Sequence, residues 1–321
     1  MLTRLPFALL GAVLGCGLFA MPAQAQRARV FVASYGNDSN PCSFGSPCRT
    51  FQAAHDAVAA NGEVTAIDSA GFGPLNINKA VTITSPPGIE ASIAAAAGGS
   101  AIAVAAGFND VVTLRGLTLN GGGSGGYGIN FTAGAKLAVI DCVVSNYAQY
   151  GIVVNVTGTT SVLISNTAVS DTAGGIVLAT SGTSGTISAM IDRSTFDNNV
   201  DGIEVIDDAG SPSYVVVSNS TFGTNKYIGL YMKNPSSTHF PIVTVKNVTF
   251  GVMQYDIYLA GFVAAYLSQV TQAPNNPGVV GIQCADLKPA APDAVALYLD
   301  NTTNHLWGIS SGCGSTLGVW D

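Results

Sequence analysis

The sequence has 321 residues, of which 48% are hydrophobic and only 10% charged, with 38 glycines and a formal net charge of −7. Globular chains average roughly 25% charged residues and about 7% glycine, so this one is poor in charge and rich in glycine. Twelve Lys and Arg in all are too few for a nucleic-acid binder, the wealth of Val, Ile and Phe excludes a disordered chain, and a coiled coil would need more Glu, Lys and Leu. Residues 1–25 read as a secretory signal peptide: Arg4 opens a positive segment, Leu5 to Ala20 are apolar, and Ala23-Gln24-Ala25 fits the small-residue cleavage rule. Cleavage before Gln26 removes 25 of the 321 residues, leaving 296, and the loss of Arg4 takes the charge to −8. A lipoprotein signal ending at Cys16 is disfavoured by the bulk of Leu14 and by the apolar run beyond Cys16. No later stretch reaches the ~18 apolar residues of a membrane helix. The expected location is secreted, periplasmic or on the cell surface, with no membrane span and no nucleic acid among the partners.

Next come Cys42 and Cys48, which flank a Ser-Phe-Gly-Ser-Pro loop and form a natural disulfide in an oxidising compartment. Cys284 and Cys313 are a second candidate pair, and Cys142, in an apolar strand pattern, reads as a buried free thiol. Metal binding through cysteine is not indicated, because there is no CxxC and His55, His239 and His305 are far apart. Residues 50–60 (TFQAAHDAVAA) place Phe51, Ala54 and Val58 on one helical face, with Asn61-Gly62 as the stop. This helix is expected to plug the open end of the strand-rich region downstream of it, since a bare strand edge invites aggregation. Residues 64–110 predict two or three irregular windings.

From residue 111 onward the sequence repeats. One apolar position recurs at Leu114, Ile140, Ile164, Ile191, Val217, Val245 and Leu267, at intervals of 26, 24, 27, 26, 28 and 22. A second, usually after glycine, recurs at Ile129, Ile152, Ile176, Ile203, Leu230, Ile257 and Ile282, at intervals of 23, 24, 27, 27, 27 and 25. Each repeat holds short runs of Val, Ile, Thr and Phe separated by Gly, Asn, Asp and Ser, which is strand-and-turn chemistry. Leucine-rich repeats share the period, but the leucine spacing of Leu114, Leu117 and Leu119 occurs only once. The remaining solution is an all-β solenoid of about nine or ten turns, each with about three short parallel strands pairing with the next turn roughly 4.8 Å away. Like residues then stack, as Phe196, Phe222 and Phe250 should. The domain boundaries are then 26–62 for the Cys42/Cys48 loop and capping helix, 63–283 for the solenoid, and 284–321, with Pro289, Pro292, Trp307 and Trp320, for a C-terminal cap.

Six of the nineteen acids crowd between residues 192 and 208. Among them Asp197, Asp201, Asp207 and Asp208 make a candidate set for Ca²⁺, a hard cation that takes several oxygen ligands, although no cofactor is required. Asp201 and Glu204 are a candidate catalytic pair for glycosidic cleavage, about 10 Å apart if extended at ~3.3 Å per residue. Arg193, Lys226 and Lys233 are placed to neutralise an acidic sugar. Tyr127 and Tyr150, two residues before the second apolar column, and Tyr231 and Tyr258, one residue after it, flank the acidic turn. Flat rings with a polar tip suit sugar faces, so these four tyrosines and Arg193 are the candidate saccharide-binding residues. The histidines read as surface or satisfied residues, and no GxSxG-type nucleophile motif is present.

The opening VFVASYGNDSNPCSFGSPCRTFQAAHDAVA, the segment GPLNINKAVTI and the repeats together resemble secreted bacterial right-handed parallel β-helix proteins of the pectin-lyase-like superfamily. The resemblance covers essentially the whole mature chain and implies the right-handed sense, which parallel connections favour in general. That superfamily includes polysaccharide lyases, glycoside hydrolases, esterases and non-catalytic adhesins, so fold alone selects none of them. The Gly-His-Gly and Arg-Ile-Lys motifs of polygalacturonase-like members are absent. The sequence therefore points first to a polysaccharide or cell-surface glycan as partner, in a binding or surface-structural role. A lyase or glycoside hydrolase acting on an acidic polysaccharide around Asp201 and Glu204, and a purely structural solenoid, are the two rivals.

Overall fold

The computed structural model describes residues 27–320 apart from 183, 208–211, 236–238, 273–279, 286–294 and 301–316. The expected signal peptide, Cys16, Asp208, His305, Trp307 and Cys313 lie outside the described residues. Among the described residues, twenty-six strands join by parallel pairing into one continuous sheet wound as a solenoid. One winding shows the plan: Thr186–Asp192, Thr195–Asp197 and Asp201–Asp207 succeed one another around the axis. Each pairs with its equivalent one turn on, Tyr214–Ser218, Thr221–Phe222 and Ile228–Asn234. We call the three resulting stacks the first, second and third sheets. About seven turns keep the regular repeat, fewer than the nine or ten expected, because the windings that start at Val58 and Val81 depart from the period.

The second apolar column is the spine of the third sheet, with Ile129, Ile152, Ile176, Ile203, Leu230, Ile257 and Ile282 in register. The first column needs one correction. Leu114 and Ile164 both pair with Val139, not Ile140; Val139 is buried and Ile140 turns outward. Side chains alternate along a strand, so a one-residue slip exchanges the two faces. In the second sheet Phe196, Phe222 and Phe250 stack as expected, with ring centroids 5.0 and 4.8 Å apart. Those rings dictate the glycine that precedes the second column. A Cβ on Gly202 would lie 2.7 Å from the Phe222 ring and 2.5 Å from the Gly229 carbonyl oxygen, and Gly229 meets Phe250 and Asp256 in the same way. The stack ends where Phe250 pairs with Gln272, and there Asp256 breaks the glycine column.

Corners are as ordered as strands. Between the first and second sheets a single residue turns the chain in the left-handed region, at Gly116, Asp141, Asn166, Arg193, Asn219, Asn247 and Gln269. Asn, Asp and Gly tolerate that conformation best. Their amides tie turn to turn, as in Asn166 Nδ2 to Asp141 Oδ1 (2.8 Å) and Asn247 Nδ2 to Asn219 Oδ1 (2.8 Å). Inside the corner between the second and third sheets, buried Asn199 and Asn225 repeat one pattern. Asn199 Oδ1 accepts from Thr172, and Asn225 Oδ1 from the Asn199 backbone N–H.

The helix is present but shorter than expected. It runs Phe51–Ala57 and buries Phe51, Ala54 and His55 against the first windings. Val58 already belongs to the strand Val58–Ala66, which also contains Asn61 and Gly62. Asp38 explains the opening motif: its carboxylate accepts from the backbone N–H groups of Arg49 and Thr50 and from Thr50 Oγ1, while Thr50 Oγ1 caps the helix at Ala53 N. Cys42 and Cys48 are disulfide-bonded. Cys284 is also disulfide-bonded, and Cys313, its expected partner, is outside the described residues. Cys142 is a free, buried thiol whose pKa burial pushes up to about 11. Folded protein at pH 8 should therefore resist thiol-reactive dyes and label only in denaturant; rapid native labelling would contradict this burial.

Candidate functional site

The outer face of the third sheet carries the candidate site. On consecutive turns one column reads Tyr127, Tyr150, Gly174, Asp201, Ile228 and Tyr255. A second, three residues further along the chain, reads Asn130, Val153, Val177, Glu204, Tyr231 and Tyr258. All four sequence-predicted tyrosines thus lie on one face, and Tyr255 joins them. Tyr127 and Tyr150 stack at 6.3 Å with planes 3° apart, whereas Tyr258 meets Tyr231 edge-on at 5.6 Å and Tyr255 at 5.4 Å.

Between these aromatic groups Gly174 opens a gap, and two side chains close over it from turns two apart. A Cβ on Gly174 would lie 2.3 Å from the Tyr150 ring and 3.0 Å from Glu204 Oε1. Phenol ring and carboxylate therefore meet above the glycine and leave Val177 only 6% exposed, although it belongs to the outer surface. Asp201 and Glu204 would face opposite ways in a regular strand, being an odd number of residues apart. The ladder leaves Gly202 unpaired, and the two carboxyls act on the same ring and on each other. Burial raises Glu204 to about 7, helped by the Asp201 charge. Burial also raises Asp201, opposed by the Ile228 N–H that donates to Asp201 Oδ1 at 3.1 Å. The Tyr150 phenol is raised first by burial and then by Glu204 and Asp201.

The other acids go elsewhere, each for a local reason. Asp197, in the second sheet, accepts from Thr224 N (2.7 Å) and Thr224 Oγ1 (2.9 Å), which hold its carboxyl below the usual range. Asp207 points inward, fully buried, accepting from Thr180 Oγ1 (2.7 Å) and Ser213 N (2.8 Å), with His239 Nε2 at 3.7 Å. Asp197, Asp201 and Asp207 thus face three directions, and among the described residues no group of three His, Cys, Asp or Glu is placed to hold a metal ion. Asp208 lies outside the described residues.

Arg193 is likewise away from the face expected of it. It sits at the corner between the first and second sheets, paired with Asp192 at 2.9 Å and donating to Ser165 Oγ at 3.0 Å. Lys226 covers the Tyr227 ring at 5.0 Å. Lys233 reaches the third sheet one turn above Ile206. His55 is buried rather than on the surface; its Nδ1 lies 3.1 Å from Asp56 and its Nε2 has no partner. The gap that Gly174 leaves in the first column is legible in the sequence, whereas the closure of the Tyr150 ring and Glu204 over it is not. Sequence reasoning also missed Asp256, the exception in the glycine column. A shallow cavity lined by Pro86, Pro87, Arg115, Asp141 and Asn166 lies at the first corner, away from the third sheet.

The family described as "right handed beta helix region" matches residues 76–240, just over half of the chain. No curated protein matches the sequence. The matched segment contains Tyr127, Tyr150, Gly174, Asp201, Glu204 and Tyr231. No described helix is long and apolar enough to cross a membrane.

Proposed function

This chain belongs to the right-handed β-helix family, and we propose that it is an exported protein that binds polysaccharide along the outer face of its third sheet. The observation that carries this reading is the row of tyrosine rings on both sides of Glu204 along one outer face. Rings of this kind offer an apolar body to a sugar face and a hydroxyl to its edge. Successive turns present them at intervals of roughly 4.8 Å, so the face suits an extended polymer. The signal-peptide-like sequence of residues 1–25 and the Cys42–Cys48 disulfide support export.

Mature protein, residues 26–321, should co-sediment with at least one member of a panel of neutral, acidic and basic polysaccharides. Tyr150→Ala and Tyr231→Ala should each weaken that binding about tenfold, while Arg193→Ala, at another corner, should leave it unchanged. If both tyrosine variants bind every glycan as the parent does, the proposed face is wrong.

A second reading, cleavage of the bound polysaccharide, is favoured by one observation. Glu204 holds its proton to about pH 7 beside Asp201, as a general acid for glycosidic cleavage does. Monitoring unsaturated products and new reducing ends on the same samples, with Ca²⁺ or with chelator, tests it. Product that disappears in Asp201→Asn and Glu204→Gln would establish a hydrolase or lyase, and silence in binding and cleavage alike would favour a purely structural solenoid.

A further inference from the structure

We propose that the cleft at the first corner, away from the tyrosine face, binds a free α-amino acid with an apolar side chain. Its volume of about 320 Å³ is at the lower end of the ~300–1,000 Å³ of small-molecule sites, so it suits one small molecule and not a polymer. The cleft exists because one winding departs from the rule of that corner. From Gly116 onward a single residue turns the chain, but one winding earlier residues 85–90 separate Thr84 from Ala91. This loop is held rigidly. Two successive prolines fix φ, Ser85 Oγ donates to the Ile89 carbonyl at 2.7 Å, and the Ile89 N–H donates to the Pro86 carbonyl at 3.1 Å. The Ser85 N–H ties the loop to the Arg115 carbonyl on the next turn at 2.9 Å. Pro86, Pro87 and Ile89 thus give the cleft a preformed apolar wall.

The polar part of the lining is short of partners. Among the described residues the Arg115 guanidinium has no hydrogen bond and no ion pair. Asp141 Oδ1 accepts from Asn166 Nδ2 at 2.8 Å, and among the described residues no group donates to Asp141 Oδ2. The corner column accounts for the open oxygen. One turn before Asp141 stands Gly116, where a Cβ would lie 2.3 Å from the Ser85 carbonyl oxygen, so no amide is available there to continue the ladder. Arg115 is in register with Ile140, the residue before Asp141. The two charges therefore belong to neighbouring turns, roughly 4.8 Å apart, and line one cleft without pairing with each other. A ligand with both signs on one carbon satisfies both. Its carboxylate accepts from the guanidinium, its ammonium donates to Asp141 Oδ2 and Asn166 Oδ1, and its side chain lies on the proline wall. A carboxylate alone would bring a like charge towards Asp141, and an amine alone would bring one towards Arg115. Arg115 and Asp141 are exposed, so each charge contact contributes no more than about fivefold in affinity.

The test is a ligand-observed NMR titration of the mature protein at neutral pH with leucine, with isocaproate, which lacks the amine, and with isopentylamine, which lacks the carboxylate. The parent is compared with Asp141→Asn and Arg115→Ser. Both replacements are residues that the same columns carry elsewhere, at Asn166 and Ser165, so the fold should hold. Leucine should bind saturably and about fivefold more tightly than either analogue. Asp141→Asn should weaken leucine about fivefold without weakening isocaproate. Arg115→Ser should weaken leucine and isocaproate alike without weakening isopentylamine. No saturable leucine binding by parent protein with a normal melting curve would overturn the proposal, and so would leucine binding that neither substitution changes. Isocaproate or isopentylamine bound as tightly as leucine would overturn the amino-acid assignment, because one charge would then suffice. The cleft and the third sheet are separate, so none of these outcomes bears on polysaccharide binding.

Discussion

Replacing Asp256 by glycine should stabilise the folded protein, and most strongly at alkaline pH. Asp256 stands in a column that is otherwise glycine at residues 128, 151, 175, 202 and 229. Its carboxyl is fully buried, and neither oxygen has a hydrogen-bond partner. Burial alone pushes its pKa up to about 7, with no charged group acting on it. Unfolded, the same carboxyl titrates near 3.9. Between those values the unfolded chain releases a proton that the folded chain keeps, so stability falls as pH rises from about 4 to about 7 and stays lowered above that. A shift of this size corresponds to at most about 4 kcal/mol. In melting curves at pH 8, Asp256→Gly should raise the midpoint on the order of 5–10 °C, with a much smaller gain at pH 4. Asp256→Asn should remove the pH dependence yet recover less stability, because it still buries an unpartnered amide. A gain of equal size at both pH values would show that the carboxyl does not titrate as its burial dictates.

Phe222→Ala should produce the largest loss. Phe222 is completely buried, stacked between Phe196 and Phe250, and its ring edge fills the space above Gly202. Removing a phenylalanine ring from such a core costs about 3–5 kcal/mol, part of it for the cavity left behind. Tyr231, on the outer face of the neighbouring sheet, contributes a cross-strand contact of the kind worth less than about 1 kcal/mol. Urea unfolding should therefore separate the two alanine variants by several kcal/mol. A Tyr231→Ala loss as large as that of Phe222→Ala would contradict the assignment of stability to the inner stack and binding to the outer face. The Gly202 strand also carries Asp201 and Glu204, so Phe222→Ala should loosen the proposed glycan binding as well.

How far the sequence discloses this molecule depends on whether a feature is set by the repeat or by a single residue. The Ile129-to-Ile282 column is in register at every step, because a large apolar side chain, just after glycine at every position but Ile257, marks the same inward position each time. The other column slips at Ile140, where Val139 and Ile140 are both apolar and only pairing with Leu114 and Ile164 decides between them. Asn61-Gly62 reads as a helix stop, yet the chain leaves the helix at Val58 because the first-sheet strand claims 58–66. Within the acidic stretch, linear crowding says nothing of direction. Strand alternation and corners send Asp197 to Thr224, Asp207 inward and Asp201 to the face. The tyrosine columns are legible because they are periodic. The closure of Tyr150 and Glu204 over Gly174 is not, since it joins residues 54 positions apart through a side chain that is missing.

The corners also decide where this protein can lengthen. At the first corner one left-handed residue per turn carries the chain round, and its amides are bonded to the turns above and below. The corner from the third sheet back to the first obeys no such rule. Only one residue separates Gly261 from Val263, whereas six separate Asp207 from Tyr214 and seven separate Asn234 from Ile242. Those differences account for much of the unevenness of the repeat, and they leave the paired strands in step. An epitope, a protease site or a fluorescent label grafted at the third corner would hang from the stack without entering it, whereas one extra residue at the first would break the left-handed turn and the amide ties to the rungs above and below.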